Sequence, residues 1–242
     1  RVHSPMSPLK ELARIVSETV DRRGQVIIPS FAVGRTQDIL YLLATLKKQS
    51  QIKDIPIFLD TPMGINATEI FADYPYWHRL SPTEVSQLCS SFTMVKSQQQ
   101  SNELLNRRDS AIVIAGAGML TGGRVLSHLI RRLPDEENSI VLVGFQAAST
   151  RGALLRSGIP ELKIYGQYIP VRAHIEEIST LSAHADQRDI IKWLRQVDTP
   201  PKNVFIVHGE PQASDALRVR IKDDLGWESK IPKPLETFAL SP

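Results

Sequence analysis

The segment Ala111-Ile112-Val113-Ile114-Ala115 constrains the fold of this 242-residue chain more than any other feature. It is apolar at every position, so no alternation separates a wet face from a dry one. A short, unbroken apolar run of this kind suits a strand buried on both sides. Ile140 to Val143 repeats the pattern, and Gln25 to Ile28, Ile57 to Leu59 and Phe92 to Val95 read as further short strands. Helical spacing fills the intervals. Leu9, Leu12, Ala13, Val16 and Val20 keep it behind the cap pair Ser7-Pro8, and Gly24 predicts the stop. Ile39, Leu42, Leu43 and Leu46 carry a second helix, and residues 64–71, 98–106 and 124–133 carry three more. The aromatic, proline-bearing stretch 73–82 reads as an irregular crossing. Alternating strands and helices predict an α/β fold, a mostly parallel sheet flanked by helices.

The texture changes after Thr150. Ile164, Ile169 and Val171 lie beside the turn residues Gly166 and Pro170, which predicts short antiparallel strands. Residues 174–181 and 203–207 then read as strands, 187–196 and 214–225 as helices, and Trp227 onward as an edge strand. A boundary is expected near residue 176.

Composition narrows the class of function only coarsely. Hydrophobic residues at 42% and charged residues at 23% describe an ordinary globular chain with a sizeable core. The net charge of +3 is compatible with a polyanionic ligand without demanding one. A single cysteine, Cys89, excludes an intramolecular disulfide and a cysteine-cluster metal site. It fits a reducing, cytoplasmic location. No apolar run approaches the ~18 residues of a membrane span, so no membrane role is expected.

Two strand–helix junctions could hold an anion. In Pro29-Ser30-Phe31-Ala32-Val33-Gly34-Arg35-Thr36 a helix start offers backbone N–H groups, and Arg35 a bidentate phosphate donor. The plainer account is a tight turn with Arg35 in a salt bridge. In Gly116-Ala117-Gly118-Met119-Leu120-Thr121-Gly122-Gly123-Arg124 the glycines would let backbone approach a ligand. The dinucleotide fingerprint fails on glycine spacing and on the position of the following acids, which leaves an anion-binding turn or simple turn chemistry. Two histidines follow β-branched runs, His184 in Ser182-Ala183-His184-Ala185-Asp186 and His208 in Val207-His208-Gly209-Glu210. Asp186 also reads as a helix N-cap, and either histidine as a satisfied polar residue. His3, His78, His128 and His174 receive no role. No His-x-His or His-x-x-x-His occurs, so these residues alone assemble no three- or four-ligand metal site.

Taken in order, Phe31-Ala32-Val33-Gly34-Arg35-Thr36-Gln37, Gly118-Met119-Leu120-Thr121-Gly122-Gly123-Arg124, Ser182-Ala183-His184-Ala185-Asp186 and Val207-His208-Gly209-Glu210 resemble the β-CASP branch of the metallo-β-lactamase superfamily. These are nucleic-acid-processing hydrolases. The resemblance implies a β-CASP domain over residues 1–176. Residues 177–242 would then be the returning carboxyl-terminal part of a metallo-β-lactamase αββα fold. It implies His184 as the catalytic histidine of motif B and His208 of motif C as a zinc ligand. A histidine at motif C favours RNA over DNA. Arg35, Gly118, Thr121, Gly122, Gly123 and Arg124 would line an RNA cleft between the two domains, with Asp186 and Glu210 supporting or capping. Two zinc ions are implied per complete active site. The family's His-x-His-x-Asp-His segment and its motif A acid should lie upstream of Arg1-Val2-His3-Ser4-Pro5. The chain therefore reads as the carboxyl-terminal part of a larger enzyme, inactive by itself and not expected to hold zinc. The expected partners are single-stranded RNA and the missing amino-terminal segment, and a homodimer stays open. The alternative is a non-catalytic RNA-binding or scaffolding protein.

Overall fold

The computed structural model describes residues 6–182 and 184–240. Its strands are β1 (Val26–Pro29), β2 (Ile57–Asp60), β3 (Thr93–Met94), β4 (Ile112–Ala115), β5 (Ser139–Leu142), β6 (Glu161–Ile164), β7 (Gln167–Pro170) and β8 (His174–Glu177). The helices are α1 (Pro8–Asp21), α2 (Arg35–Lys48), α3 (Pro62–Asp73), α4 (Pro82–Ser90), α5 (Gln98–Asn106), α6 (Val125–Arg132), α7 (Arg151–Arg156), α8 (Gln187–Leu194) and α9 (Pro211–Leu225). Two compact units result, residues 6–181 and the residues from 182 onward.

In the larger unit six strands form one sheet in the order β3-β2-β4-β1-β5-β8, every pair parallel. The apolar runs take the middle. β1, β4 and β5 are buried at all four positions, as strands covered on both faces must be. One face packs Leu12, Ile15, Leu40 and Leu43 of α1 and α2 against Val26, Ile28 and Ile114. The other packs Leu126 and Leu129 of α6 against Ile27, Val113 and Ile140. β6 and β7 form a separate antiparallel hairpin.

Several boundaries differ from expectation for local reasons. α1 ends at Asp21, not at Gly24, because Arg23 takes the left-handed conformation (φ 64°) and Gly24 N–H closes onto Thr19. Residues 73–82 hold one 3-10 turn, Pro75–Trp77, and then α4 begins, an unexpected helix. Ser81 and Glu84 form a capping box there. α7 is also unexpected, and Thr150 caps it. The expected boundary near 176 falls inside β8, which pairs with β5. The chain leaves the sheet through the 3-10 turn Ser179–Leu181, where a continuous strand was expected.

The smaller unit packs α8 and α9 around Ile191, Ile206 and Ile221. The expected strand at 203–207 and edge strand at 227 onward reduce to a single parallel bridge, Phe205 to Lys230. Among the described residues no helix is long and apolar enough to cross a membrane.

Candidate functional site

Parallel topology puts the carboxyl ends of β1, β4 and β2 side by side, and the segments leaving them enclose a cavity of about 540 Å³. Ser30, Phe31 and Ala32 come from the end of β1, Asp60 to Met63 from β2, and Gly116, Ala117, Gly123 and Arg124 from β4. This is the edge at which α/β sheets generally bind ligands. Phe31 and Met63 are exposed beside it.

Asp60 anchors the site. The β2 strand ends on this carboxylate, which has no solvent exposure. Three side chains donate to it. Arg124 Nη1 reaches Oδ1 at 2.8 Å, while Ser101 Oγ at 2.7 Å and His128 Nε2 at 2.8 Å reach Oδ2. Burial pushes the Asp60 carboxyl up. Hydrogen bonds from His128, Ser101 and Arg124 overcome it and hold the carboxyl below the usual carboxylate range. His128 Nδ1 is buried with no hydrogen-bond partner among the described residues. Asp60, Ser101 and His128 carried no motif in the sequence. The one available signal was an acid closing an apolar strand.

Arg124 gives a second Nη1 bond to the Val95 carbonyl at 3.0 Å, which fixes its guanidinium at the cavity wall. The turn before it is built for packing as much as for exposure. Gly118 is buried, and a Cβ there would lie 2.9 Å from the Phe31 ring, so this glycine makes room for Phe31. Gly123 has φ 78°, and a Cβ on it would collide with the Gly116 carbonyl oxygen. Thr121 is exposed, and Gly122 has open space around it.

The start of α2 is more closed than an anion site requires. Gly34 N–H donates to Gln37 Oε1 at 2.7 Å, Arg35 N–H to Val33 O at 3.0 Å and Thr36 N–H to Phe31 O at 3.2 Å. Arg35 Nη1 lies 3.1 Å from Asp38 Oδ2, the plainer of the two accounts of this residue.

In the smaller unit both histidines are exposed. His184 N–H donates to Ser182 Oγ at 3.2 Å; Ala183 of the same motif lies outside the described residues. His208 sits in the left-handed region at φ 63°, just after the Phe205 bridge. Asp186 is buried and caps α8, its carboxylate accepting Asp189 N–H at 3.0 Å. Glu210 occupies the N-cap position of α9.

Among the described residues no group of three His, Cys, Asp or Glu side chains could hold a metal ion. A catalytic zinc needs about three protein ligands. The described residues thus do not complete a zinc site.

Residues 36–155 match the Beta-Casp domain, and residues 168–232 match the Zn-dependent metallo-hydrolase RNA specificity domain. Transcription termination factor FttA of Pyrococcus abyssi is 32% identical over 243 residues, covering 96% of this chain and 37% of the relative. RNase J-like protein of Methanocaldococcus jannaschii is 31% identical over 227 residues, covering 92% of this chain and 51% of the relative. Ribonuclease TTHA0252 of Thermus thermophilus is 34% identical over 227 residues, covering 90% of this chain and 51% of the relative. The chain spans between about a third and a half of the length of these curated relatives. The two matched stretches run in order along an all-parallel, six-stranded α/β sheet and the unit that follows it, and the chain belongs to the β-CASP metallo-β-lactamase family.

Proposed function

We propose that this chain is part of a zinc-dependent nuclease that hydrolyses RNA phosphodiester bonds. The observation that carries the reading is the clamped Arg124 at the wall of the cavity above β1, β4 and β2. Nη1 is taken by Asp60 and Val95, while Nε and Nη2 make no hydrogen bond among the described residues and are left for a phosphate oxygen. A guanidinium held in place loses little freedom on binding, so it positions a phosphate well. Phe31 and Met63 add exposed apolar surface beside it, suited to a base or ribose. Gly123 lines the same cavity, and Thr121 and Gly122 precede it in the turn. Arg35, tied to Asp38, contributes field more than contact.

In this reading His184 gives a proton to the leaving 3′ oxygen. Its exposure lets the imidazole reload from solvent after each turnover. His208 serves as one zinc ligand, the remaining ligands coming from outside the described residues. Asp186 holds the start of α8, and with it the backbone that carries His184. Domain limits of 1–176 and 177–242 belong to the same proposal. A second reading, a non-catalytic RNA-binding or scaffolding protein, has one observation in its favour: several relatives are named for transcription termination.

Cleavage of labelled single-stranded RNA by the protein at its natural length, with and without His184→Ala, separates the two. A nuclease loses turnover in the variant and keeps RNA affinity. A scaffold binds RNA and never cuts it.

A further inference from the structure

Three Arg-Arg pairs stand in this sequence, Arg22-Arg23, Arg107-Arg108 and Arg131-Arg132. Each closes a helix, α1, α5 and α6 in turn. Those helices lead into β1, β4 and β5, which are adjacent in the sheet order β4-β1-β5. The three pairs therefore converge at the amino-terminal edge of the sheet, opposite the cavity that Arg124 lines.

Within each pair one arginine is engaged in structure. Arg22 Nη2 donates to Ser139 Oγ at 3.0 Å. Arg132 donates to Gln25 Oε1 at 2.7 Å and to the carbonyls of Arg107 at 2.8 Å and Leu105 at 3.2 Å. Arg107 pairs with Asp109 and lies over the Phe58 ring at 5.2 Å. The other three, Arg23, Arg108 and Arg131, are exposed, and no hydrogen bond or ion pair holds their side chains among the described residues. All of these except Arg22 line one open cavity of about 350 Å³, so five arginines face two acids, Asp135 and Glu137.

A cation at a helix carboxyl end offsets the dipole, and that explains one arginine per helix. It does not explain why the second arginines gather, because like charges repel at close range. Arg23 holds its place in a left-handed conformation that disfavours any side chain. Arg107 Nε is buried with no hydrogen-bond partner among the described residues. Burial and the neighbouring Arg131 hold the Arg132 guanidinium below its ordinary value, against Asp135. An anion in the cavity would offset the mutual repulsion of the five arginines that line it. Leu105 is the one apolar side chain of the lining, and no aromatic ring is there to stack a base.

We propose that this cavity is a second, sequence-independent phosphate-binding site, at the opposite edge of the sheet from the first. Its ligand is a phosphate-bearing anion, either the backbone of RNA or a small polyphosphate. It concerns binding and does not rest on the cleavage reading.

The test uses the protein at its natural length. Pyrophosphate is titrated calorimetrically, and a short labelled single-stranded RNA by anisotropy across a salt series. The probe variant is Arg23→Gln/Arg108→Gln/Arg131→Gln, which removes no hydrogen bond seen in the fold. The complementary variant is Asp135→Asn/Glu137→Gln. Pyrophosphate should bind the parent, weaken by about tenfold or more in the first variant, and tighten severalfold in the second. If RNA is the ligand, its affinity falls in the first variant and its salt slope flattens by roughly two units. If a small polyphosphate is the ligand, pyrophosphate binding is lost while RNA binding holds. Equal binding of both probes by parent and first variant overturns the proposal, as does a parent that binds neither. RNA cleavage by the first variant, measured alongside, reports on the nuclease reading separately.

Discussion

Arg124 Nη1 lies 2.8 Å from Asp60 Oδ1, and the carboxylate it meets is closed to solvent. The two residues stand 64 positions apart in the chain. Their pairing ties the end of β2 to the turn after β4, and His128 of α6 and Ser101 of α5 complete the knot. Asp60→Ala leaves three donors facing an apolar hole. It should cost about 3–5 kcal/mol, the usual consequence of removing one partner of a buried charged network. Asp60→Asn keeps the shape and should cost less. Urea unfolding of the three proteins gives the ranking.

The same carboxylate sets an acid limit. Its pKa is depressed in the folded state, so its contribution is fully present above the unfolded value of about 4 and fades as pH falls through the folded one. Thermal unfolding followed from neutral pH to below pH ~4 should show the parent losing more stability than Asp60→Asn. Parallel curves would mean that the carboxylate is not charged in the fold.

Gly123→Ala combines a forbidden φ with a collision against the Gly116 carbonyl. A loss of roughly 1–3 kcal/mol is expected, together with weaker RNA binding through the displaced Arg124. Gly122→Ala, with nothing near its Cβ position, should lose little of either. Melting temperatures and RNA anisotropy of the pair check this contrast.

His184 and His208 should fail differently in the protein at its natural length. Losing His208 should lower the zinc content, whereas His184→Ala should keep it and lower turnover by roughly 10²–10⁴-fold. Metal analysis beside single-turnover cleavage tests both. If His184→Ala loses the metal and His208→Ala keeps it, the roles are exchanged. The 242-residue chain alone, dialysed, should retain far less than one zinc, since His208 cannot hold it unaided.

Legibility followed the reach of each signal. Ile112–Ala115 and Ser139–Leu142 could be read because every position faces a core. Gln98–Asn106 could be read from its own spacing. α4 escaped because only Val85 and Leu88 of its nine residues are buried, too few to mark a face. The bridge at Phe205 looked like a strand because Val204 to Val207 is β-branched and aromatic, but it has one partner residue, Lys230. Arg35 and Arg124 stood in similar strand–helix junctions. Only the fold distinguishes the first, tied to Asp38, from the second, clamped at the cavity wall. Asp60, His128 and Ser101 meet across tens of residues, and no local pattern announces that. The three Arg-Arg pairs were plain in the sequence, yet their convergence depends on strand order.

Single-turnover cleavage of 5′-labelled single-stranded RNA by the protein at its natural length, zinc-loaded, tests the central claim most directly. The account predicts phosphodiester cleavage that His184→Ala slows by roughly 10²-fold or more while RNA affinity stays unchanged. RNA bound tightly and left intact by the parent protein, or cleaved equally fast by His184→Ala, would contradict it.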